Sequence, residues 1–183
     1  MSQENVPVIE TPRLILRALT PDDFEAHAAM WADPVVTRYI GGVPQTREQS
    51  WIRLLRHIGM WQAMGFGFWA VTDRRTGRLL GEAGFHDLKR AVVPSIEGTM
   101  ETGWGFVPDV HGQGIATEAV SAVLAWGDES RPSLRKTCLI SPENTASIRV
   151  AERHGFCEFA RMTYHDAPTI LFERGPSAQI EAG

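Results

Sequence analysis

Two glycines at the start of a predicted helix are the residues of this chain best placed to do chemistry. Gly112 and Gly114 follow a predicted strand that ends at Val107, and a helical pattern begins directly after them. Glycine lets backbone approach a ligand without a Cβ between them, and the first amides of a helix have no partner inside it. Together with the helix dipole, such amides bind phosphate. The spacing predicts a phosphate-binding loop, the alternative being a glycine-rich turn before a core helix.

Three kinds of phosphate ligand compete for this loop. The ATP-binding loop requires Gly-Lys-Ser/Thr, which is absent from the chain. The dinucleotide fingerprint requires a third glycine where this chain has Thr117, and an acidic residue about 20 positions further on. Glu143 is the nearest acidic candidate, but it lies too far along and follows a proline. The pyrophosphate of coenzyme A is the third ligand, and it requires no lysine.

A second segment, residues 141–156, also follows a predicted strand, and the two segments together resemble the GNAT superfamily of acyl-CoA-dependent N-acetyltransferases. In that family a Gln/Arg-x-x-Gly-x-Gly/Ala loop holds the CoA pyrophosphate. The matching stretch here is His111-Gly-Gln-Gly114-Ile-Ala116, in which His111 departs from the usual Gln or Arg. Residues 11–17, 100–104, 144–147 and 155–156 are similar to the ribosomal-protein N-terminal acetyltransferase branch, described as RimJ/RimL-like. The resemblance covers essentially the whole chain.

The resemblance implies a fold and a cosubstrate. The fold is an α+β GNAT fold, with a mixed, mostly antiparallel central sheet flanked by helices and a V-shaped splay between two central strands. Acetyl-CoA is the cosubstrate, and no metal is implied. Its pantetheine arm would lie in the splay against the main chain of Phe106 and Val107. Its pyrophosphate would be held by the amides of Gln113, Gly114, Ile115, Ala116 and Thr117.

The last predicted helix supplies the candidate proton donor. Asn144 opens that helix and either caps it or, as the resemblance implies, contacts the pantetheine arm or a water near the thioester. Ser147 and Ala151 share its face because they lie three and seven residues further on. Many relatives carry at the Ala151 position a tyrosine that protonates the departing thiolate. We therefore expect Ser147, one turn earlier, to be the donor, the alternative being a surface serine.

Three side chains are candidates for the general base that removes a proton from the acceptor amine. Glu101 is the first, because it shares a strand face with two glycines that leave open space; a structural hydrogen bond is its alternative role. Glu82 is the second, between small residues, and His86 is the third. We also expect the amide of Val107 to donate a hydrogen bond to the thioester oxygen.

The elements that must position these residues follow from hydrophobic periodicity, in the order β-α-α-β-β-β-α-β-α-β-β. This order is not a regular β-α alternation, so it predicts an α+β domain. Residues 10–174 are expected to form one domain, with 1–9 and 175–183 as terminal extensions. The predicted helices are residues 20–32, 46–64, 114–127 and 144–154. The predicted strands are residues 13–19, 66–72, 79–88, 99–107, 134–140, 156–163 and 169–174.

Composition excludes several classes of protein. The 183 residues carry a net charge of −4, which disfavours a nucleic-acid-binding protein. No apolar run reaches the about 20 residues of a membrane span, and the polar N-terminus predicts a cytoplasmic protein. Cys138 and Cys157 lie in apolar strands and are expected in the core. His165 and Asp166 are expected to form a turn, and the six histidines show no metal-binding spacing.

Taken together, the sequence predicts a cytoplasmic, single-domain enzyme that moves an acetyl group from acetyl-CoA to a primary amine, by direct attack in a ternary complex. The acceptor is a protein N-terminus or a small molecule, and the protein is a monomer or a homodimer. A CoA-binding module with little or no catalysis is the alternative. Neither a nucleic acid nor a membrane is an expected partner.

Overall fold

The computed structural model describes residues 6–175, and within them an eight-stranded mixed sheet is flanked by helices. The strands are β1 (Ile9–Glu10), β2 (Leu14–Arg17), β3 (Phe68–Asp73), β4 (Leu79–His86), β5 (Met100–Phe106), β6 (Lys136–Ile140), β7 (Cys157–Tyr164) and β8 (Ala167–Arg174). The α-helices are α1 (Phe24–Trp31), α2 (Pro34–Thr37), α3 (Arg47–Met64), α4 (Ile115–Ser130) and α5 (Thr145–Arg153). The predicted α+β class is confirmed. Of the expected C-terminal extension, residues 175–183, Gly175 alone lies within the described residues. Strand β1 begins at the last residue of the expected N-terminal extension, residues 1–9.

The strand order is β1-β2-β3-β4-β5-β6-β8-β7. The pairs β1–β2, β2–β3, β3–β4, β6–β8 and β7–β8 are antiparallel, whereas β5 and β6 run parallel. The register of β5 with β6 consists of Met100 opposite Lys136 and Glu101 opposite Thr137, at the start of both strands. The two strands therefore pair at one end alone, which agrees with the expected splay.

The chain divides into two compact units. The first contains the residues up to His86 together with Gly103–Ala122, and the second contains Asp87–Thr102 and the residues from Val123 onward. The glycine loop and Glu82 belong to the first unit. Glu101, Asn144 and Ser147 belong to the second.

Helix α3 begins and packs in the first unit as its sequence predicts. The hydroxyl of Thr46 accepts a hydrogen bond from the Gln49 amide, and Oε1 of Gln49 accepts one from the Thr46 amide, which forms a capping box. Leu54 packs into a core cluster with Phe68 of β3. Two turns further along α3, the indole N–H of Trp61 donates a hydrogen bond to the Phe68 carbonyl at 2.9 Å. These contacts hold α3 against the sheet.

The hairpin β7–β8 closes the second unit. His165 and Asp166 form its two-residue turn with φ values of 48° and 60°, both positive as a type I′ turn requires. The expected turn is therefore confirmed.

The expectation that both cysteines lie in the core is correct for Cys138 and wrong for Cys157. Cys138 is 1% exposed, but Cys157 is exposed at the start of β7, because β7 is the edge strand of the sheet.

Across residues 6–175, no helix is both long and apolar enough to cross a membrane.

Candidate active site

The glycine loop joins the end of β5 to helix α4 and presents an open backbone surface. Gly112 and Gly114 have φ values of 73° and 77°, a left-handed conformation that glycine adopts without strain. The first backbone bond of the helix joins the Glu118 amide to the Gly114 carbonyl at 3.0 Å. The amides of Ile115, Ala116 and Thr117 therefore have no acceptor within the helix.

The surface at Gly114 is open enough for a ligand to reach the backbone. A Cβ placed on Gly114 would have a single neighbour within 4 Å, the Nη2 atom of Arg13 at 3.5 Å. A Cβ on Gly112 would have none. The loop thus has the shape that a phosphate cradle requires, with free helix-start amides and space that a side chain would fill. This geometry fits the pyrophosphate of acetyl-CoA.

The side chains of the loop set its shape. The Nε2 atom of His111 lies 2.9 Å from the carbonyl oxygen of Phe106, and the Gln113 amide donates to the Asp109 carbonyl at 2.7 Å. These bonds fold the segment between β5 and α4 back on itself. The His111 side chain therefore bonds within the loop segment itself; it stands at the position of Gln or Arg in the motif that the loop resembles.

At the end of β5, the main-chain groups of Phe106 and Val107 point to opposite edges of the strand, although both residues were expected to lie against the pantetheine arm. The Val107 amide donates to the Leu80 carbonyl at 2.9 Å, so it points at β4. Successive residues of a strand point their amides to opposite edges, so Phe106 directs its main chain away from β4. The expectation that the Val107 amide donates to the thioester oxygen is therefore wrong. The amide of Phe106 keeps the geometry for pairing with a pantetheine arm, whereas its carbonyl oxygen is bonded to Nε2 of His111.

Arg13 joins the loop from the start of β2, a contact that the sequence analysis did not predict. Its Nη1 donates to the Gln113 carbonyl at 2.8 Å, and its Nε forms a 2.6 Å ion pair with Glu118. Thr11 also donates to the Glu118 carboxylate at 2.6 Å. About 100 residues separate these partners, so no local pattern could have placed Arg13 beside Gly114.

Glu82, the second base candidate, is fully buried and accepts four hydrogen bonds. Its Oε2 lies 2.7 Å from Nε2 of His27 in α1. Its Oε1 receives Nε and Nη2 of Arg53 at 3.0 and 2.8 Å, and lies 3.1 Å from Nε2 of His57. A carboxylate offers about four acceptor positions; here three N–H groups bond to Oε1 and one bonds to Oε2. Glu82 therefore ties α1 and α3 to β4, and its low pKa makes it a weak base for an amine proton.

The charges of this cluster follow from burial and from Arg53. Burial would raise the pKa of Glu82, but the charge of Arg53 and the bonds from the two histidines outweigh it and hold that pKa well below 4.5. Burial lowers the pKa of His57 to about 4, although Glu82 opposes the change. His57 is thus neutral near pH 7. Because Glu82 can only accept, Nε2 of His57 carries the proton.

The cluster predicts that the protein loses stability in mild acid. The pKa of His57 is about 4 in the folded chain and 6.5 for an unperturbed histidine, so the unfolded chain binds the extra proton as pH falls. Between pH 7 and pH 5 the free energy of unfolding should fall by about 2 kcal/mol from this group. Urea unfolding at both pH values measures the loss. In His57→Gln, which keeps an N–H donor for Glu82, this part of the pH dependence should disappear. An equal dependence in both proteins would contradict the assignment.

Glu101, the first base candidate, is buried beside a cation in the second unit. Arg90 donates Nε and Nη2 to its two carboxylate oxygens at 2.7 and 2.8 Å. The same guanidinium donates Nη1 to the Tyr164 hydroxyl at 2.9 Å and lies 5.2 Å from the centre of that ring. Arg90 therefore fixes the position of the Glu101 carboxylate. The same interaction is what a purely structural role for Glu101 would require. His86, the third candidate, is buried and lies 5.3 Å from the ring of Phe68.

Helix α5 presents Asn144 and Ser147 at its start. The Oδ1 atom of Asn144 accepts a hydrogen bond from the Ser147 amide at 3.1 Å, so Asn144 is the N-cap. Its Nδ2 group is not needed for that bond. Ser147 is half-buried, and its hydroxyl makes no hydrogen bond within residues 6–175. Ala151, one turn further, is fully buried.

The described part of the chain contains no cluster of three or more His, Cys, Asp or Glu side chains that could hold a metal ion.

Comparison with known proteins identifies the type of domain. The family model for the acetyltransferase (GNAT) domain matches residues 13–157. The uncharacterised N-acetyltransferase YoaA of Bacillus subtilis is 30% identical over 151 residues, which are 82% of each chain. A solved structure from Bordetella pertussis, assigned to the GnaT acetyltransferase family, has a TM-score of 0.82 at 33% identity and covers 92% of this chain and 99% of its own. RimL, a ribosomal L7/L12 α-N-protein acetyltransferase solved in complex with CoA, shares the fold at 17% identity, with a TM-score of 0.75 and coverage of 92% and 98%.

Proposed function

This chain belongs to the acetyltransferase (GNAT) family, and from that premise we propose that it transfers an acetyl group from acetyl-CoA to a primary amine by direct attack in a ternary complex. The observation that carries the proposal is the open loop at Gly114, where helix-start amides meet space that a side chain would fill. Acetyl-CoA supplies the activated acetyl group. The acceptor we propose is a protein N-terminus or a small-molecule amine, met in the cytoplasm.

The residues of the loop and of β5 bind the cosubstrate in this proposal. The amides of the loop hold the pyrophosphate, and the residues that supply them are Gln113, Gly114, Ile115, Ala116 and Thr117. Phe106 pairs through its amide with the pantetheine arm, because that amide points away from β4. The Val107 main chain bonds to Leu80, so we assign Val107 a packing contact with that arm instead.

Two side chains transfer protons in this proposal, Ser147 as the donor and Glu101 as the acceptor, and Asn144 has a positioning role. Ser147 donates a proton to the departing thiolate, supported by a hydroxyl that has no partner within the described residues. Asn144 positions the start of α5 and offers its Nδ2 group to the pantetheine arm. Glu101 accepts the amine proton, since Glu82 is buried among four N–H groups that hold its pKa low, and Arg90 holds the Glu101 carboxylate in place.

A thiol-release assay on a panel of amines tests the activity and the role of Ser147 together. The panel contains peptides with free N-termini, polyamines and other small amines. We expect acceptor-dependent release of CoA, and in Ser147→Ala a kcat lower by about 10- to 100-fold with acetyl-CoA affinity nearly intact. A thiol with a pKa near 8.5 leaves tolerably without help, so the defect should shrink as pH rises.

Thr145→Ala is the matched control, since it removes an exposed hydroxyl from the same helix. It should leave kcat unchanged. If Ser147→Ala altered the Michaelis constant alone, Ser147 would be a binding or packing residue. CoA binding without release on any amine would favour the alternative function, a CoA-binding module without catalysis.

A further inference from the structure

The guanidinium of Arg90 connects the Glu101 carboxylate to the hydroxyl of Tyr164, at the end of β7. Its Nε and Nη2 donate to Glu101 at 2.7 and 2.8 Å, and its Nη1 donates to Tyr164 at 2.9 Å. All three residues belong to the second unit, and the side chains of Arg90 and Glu101 are 18% and 7% exposed. The two bonds to Glu101 already pair the charges. The bond to Tyr164 therefore adds direction to the guanidinium and not charge.

Arg90 comes from a loop, so its guanidinium depends on contacts outside its own segment. The Asp87 carboxylate accepts hydrogen bonds from the amides of Lys89 and Gly98 at 3.2 and 3.0 Å, which closes the loop between β4 and β5. These bonds hold main chain, whereas the arginine side chain beyond it has large rotamer freedom. Within residues 6–175, the side-chain hydrogen bonds of Arg90 go to Glu101 and Tyr164. Removing the second partner would leave the guanidinium free to turn about its pair with Glu101.

Tyr164 is a firm anchor because it belongs to a regular hairpin. It lies opposite Ala167 in the register of β7 with β8, directly before the two-residue turn. Its ring contacts the His165 ring edge-on, with 4.1 Å between the centres, and the guanidinium of Arg90 lies 5.2 Å from its own centre. The strand ladder and these ring contacts set the position of the hydroxyl.

We propose that Tyr164 is a positioning residue for acetyl transfer: by holding Nη1 of Arg90, its hydroxyl orients the Glu101 carboxylate for the amine proton. The inference rests on the proposed function, in which Glu101 is the base. A base must hold its oxygen within hydrogen-bond reach of the proton that it removes. A turned guanidinium therefore slows the proton step. Binding of acetyl-CoA stays unchanged, because the glycine loop belongs to the first unit.

Steady-state kinetics of Tyr164→Phe test the proposal, since phenylalanine keeps the ring beside Arg90 and removes the hydroxyl. With the best amine of the panel, kcat should fall about tenfold, within the range that misplacing a reacting group produces. The Michaelis constant for acetyl-CoA should stay within about twofold of wild type, because Tyr164 acts on the proton step.

The same substitution in an Arg90→Lys background tests whether Tyr164 acts through Arg90. An ammonium pairs with Glu101 but lacks the planar fork that reaches Tyr164 at the same time. Arg90→Lys should itself lower kcat, and adding Tyr164→Phe should change kcat by less than about twofold, because the two residues work as one unit.

Tyr39→Phe is the matched control. The guanidinium of Arg38 lies 5.0 Å from the Tyr39 ring centre, but within residues 6–175 the Tyr39 hydroxyl makes no hydrogen bond. This variant should keep the wild-type kcat.

An unchanged kcat in Tyr164→Phe would overturn the proposal, and so would a change confined to the Michaelis constant for acetyl-CoA. An equal loss of kcat in the wild-type and Arg90→Lys backgrounds would also overturn it, because Tyr164 would then act without Arg90. If Arg90→Lys does not fold, the kinetics of Tyr164→Phe decide. Failure of wild type to release CoA with any amine would instead reject the proposed function.

Discussion

Gly114→Val should abolish measurable acetyl-CoA binding while the protein remains folded. The valine side chain would occupy the open face of the loop and shield the helix-start amides from phosphate. Losing two backbone hydrogen bonds to charged oxygens, at about 1.5–3 kcal/mol each, weakens affinity by at least about 100-fold. Calorimetric titration of CoA into the variant measures the loss.

Gly98→Val is the control that distinguishes loss of the ligand site from the effect of backbone strain on stability. Gly98 has a φ of 80° and open space at its Cβ position, so valine there meets the same unfavourable conformation outside the loop. Both variants should lose a similar amount of thermal stability, and Gly98→Val should bind CoA as wild type does. Undiminished CoA binding by Gly114→Val would show that the pyrophosphate lies elsewhere.

Glu82→Gln should cause the largest loss of stability among single conservative changes in the first unit. The amide has the shape of the carboxylate but not its charge, so the Arg53 guanidinium would lose its buried counter-ion and the histidines would lose a charged acceptor. Breaking one side of a buried ion pair costs about 3–5 kcal/mol. For a chain of this length that corresponds to about 10 °C in Tm, which calorimetry measures.

Glu25→Gln is the matched control for this experiment. Glu25 receives Arg47 in the same two-bond geometry, at 2.7 and 2.8 Å, but its side chain is 74% exposed. Its removal should leave Tm nearly unchanged. A Tm of Glu82→Gln within a degree of wild type would mean that the cluster does not stabilise the fold, and would reopen Glu82 as a base.

The loop, the helices and the hairpin turn could be predicted from sequence because their causes are local. Two glycines before an apolar helix pattern predict an open loop at a helix start, and the loop residues lie within a few positions of one another. Thr46 with Gln49 marks the start of α3, and Asn144 marks the start of α5, because capping acts over three residues. Ser147 could be placed on the Asn144 face by helical spacing alone.

What the tertiary structure alone decided depends on contacts between distant residues. Small neighbours suggested space around Glu82, yet α1 and α3 fill it with His27, His57 and Arg53, which no spacing in the sequence reveals. Arg13 reaches the glycine loop because α4 lies beside the start of β2. Local pattern states which residues can form a helix, strand or loop, whereas packing decides which groups compete for the same hydrogen bonds.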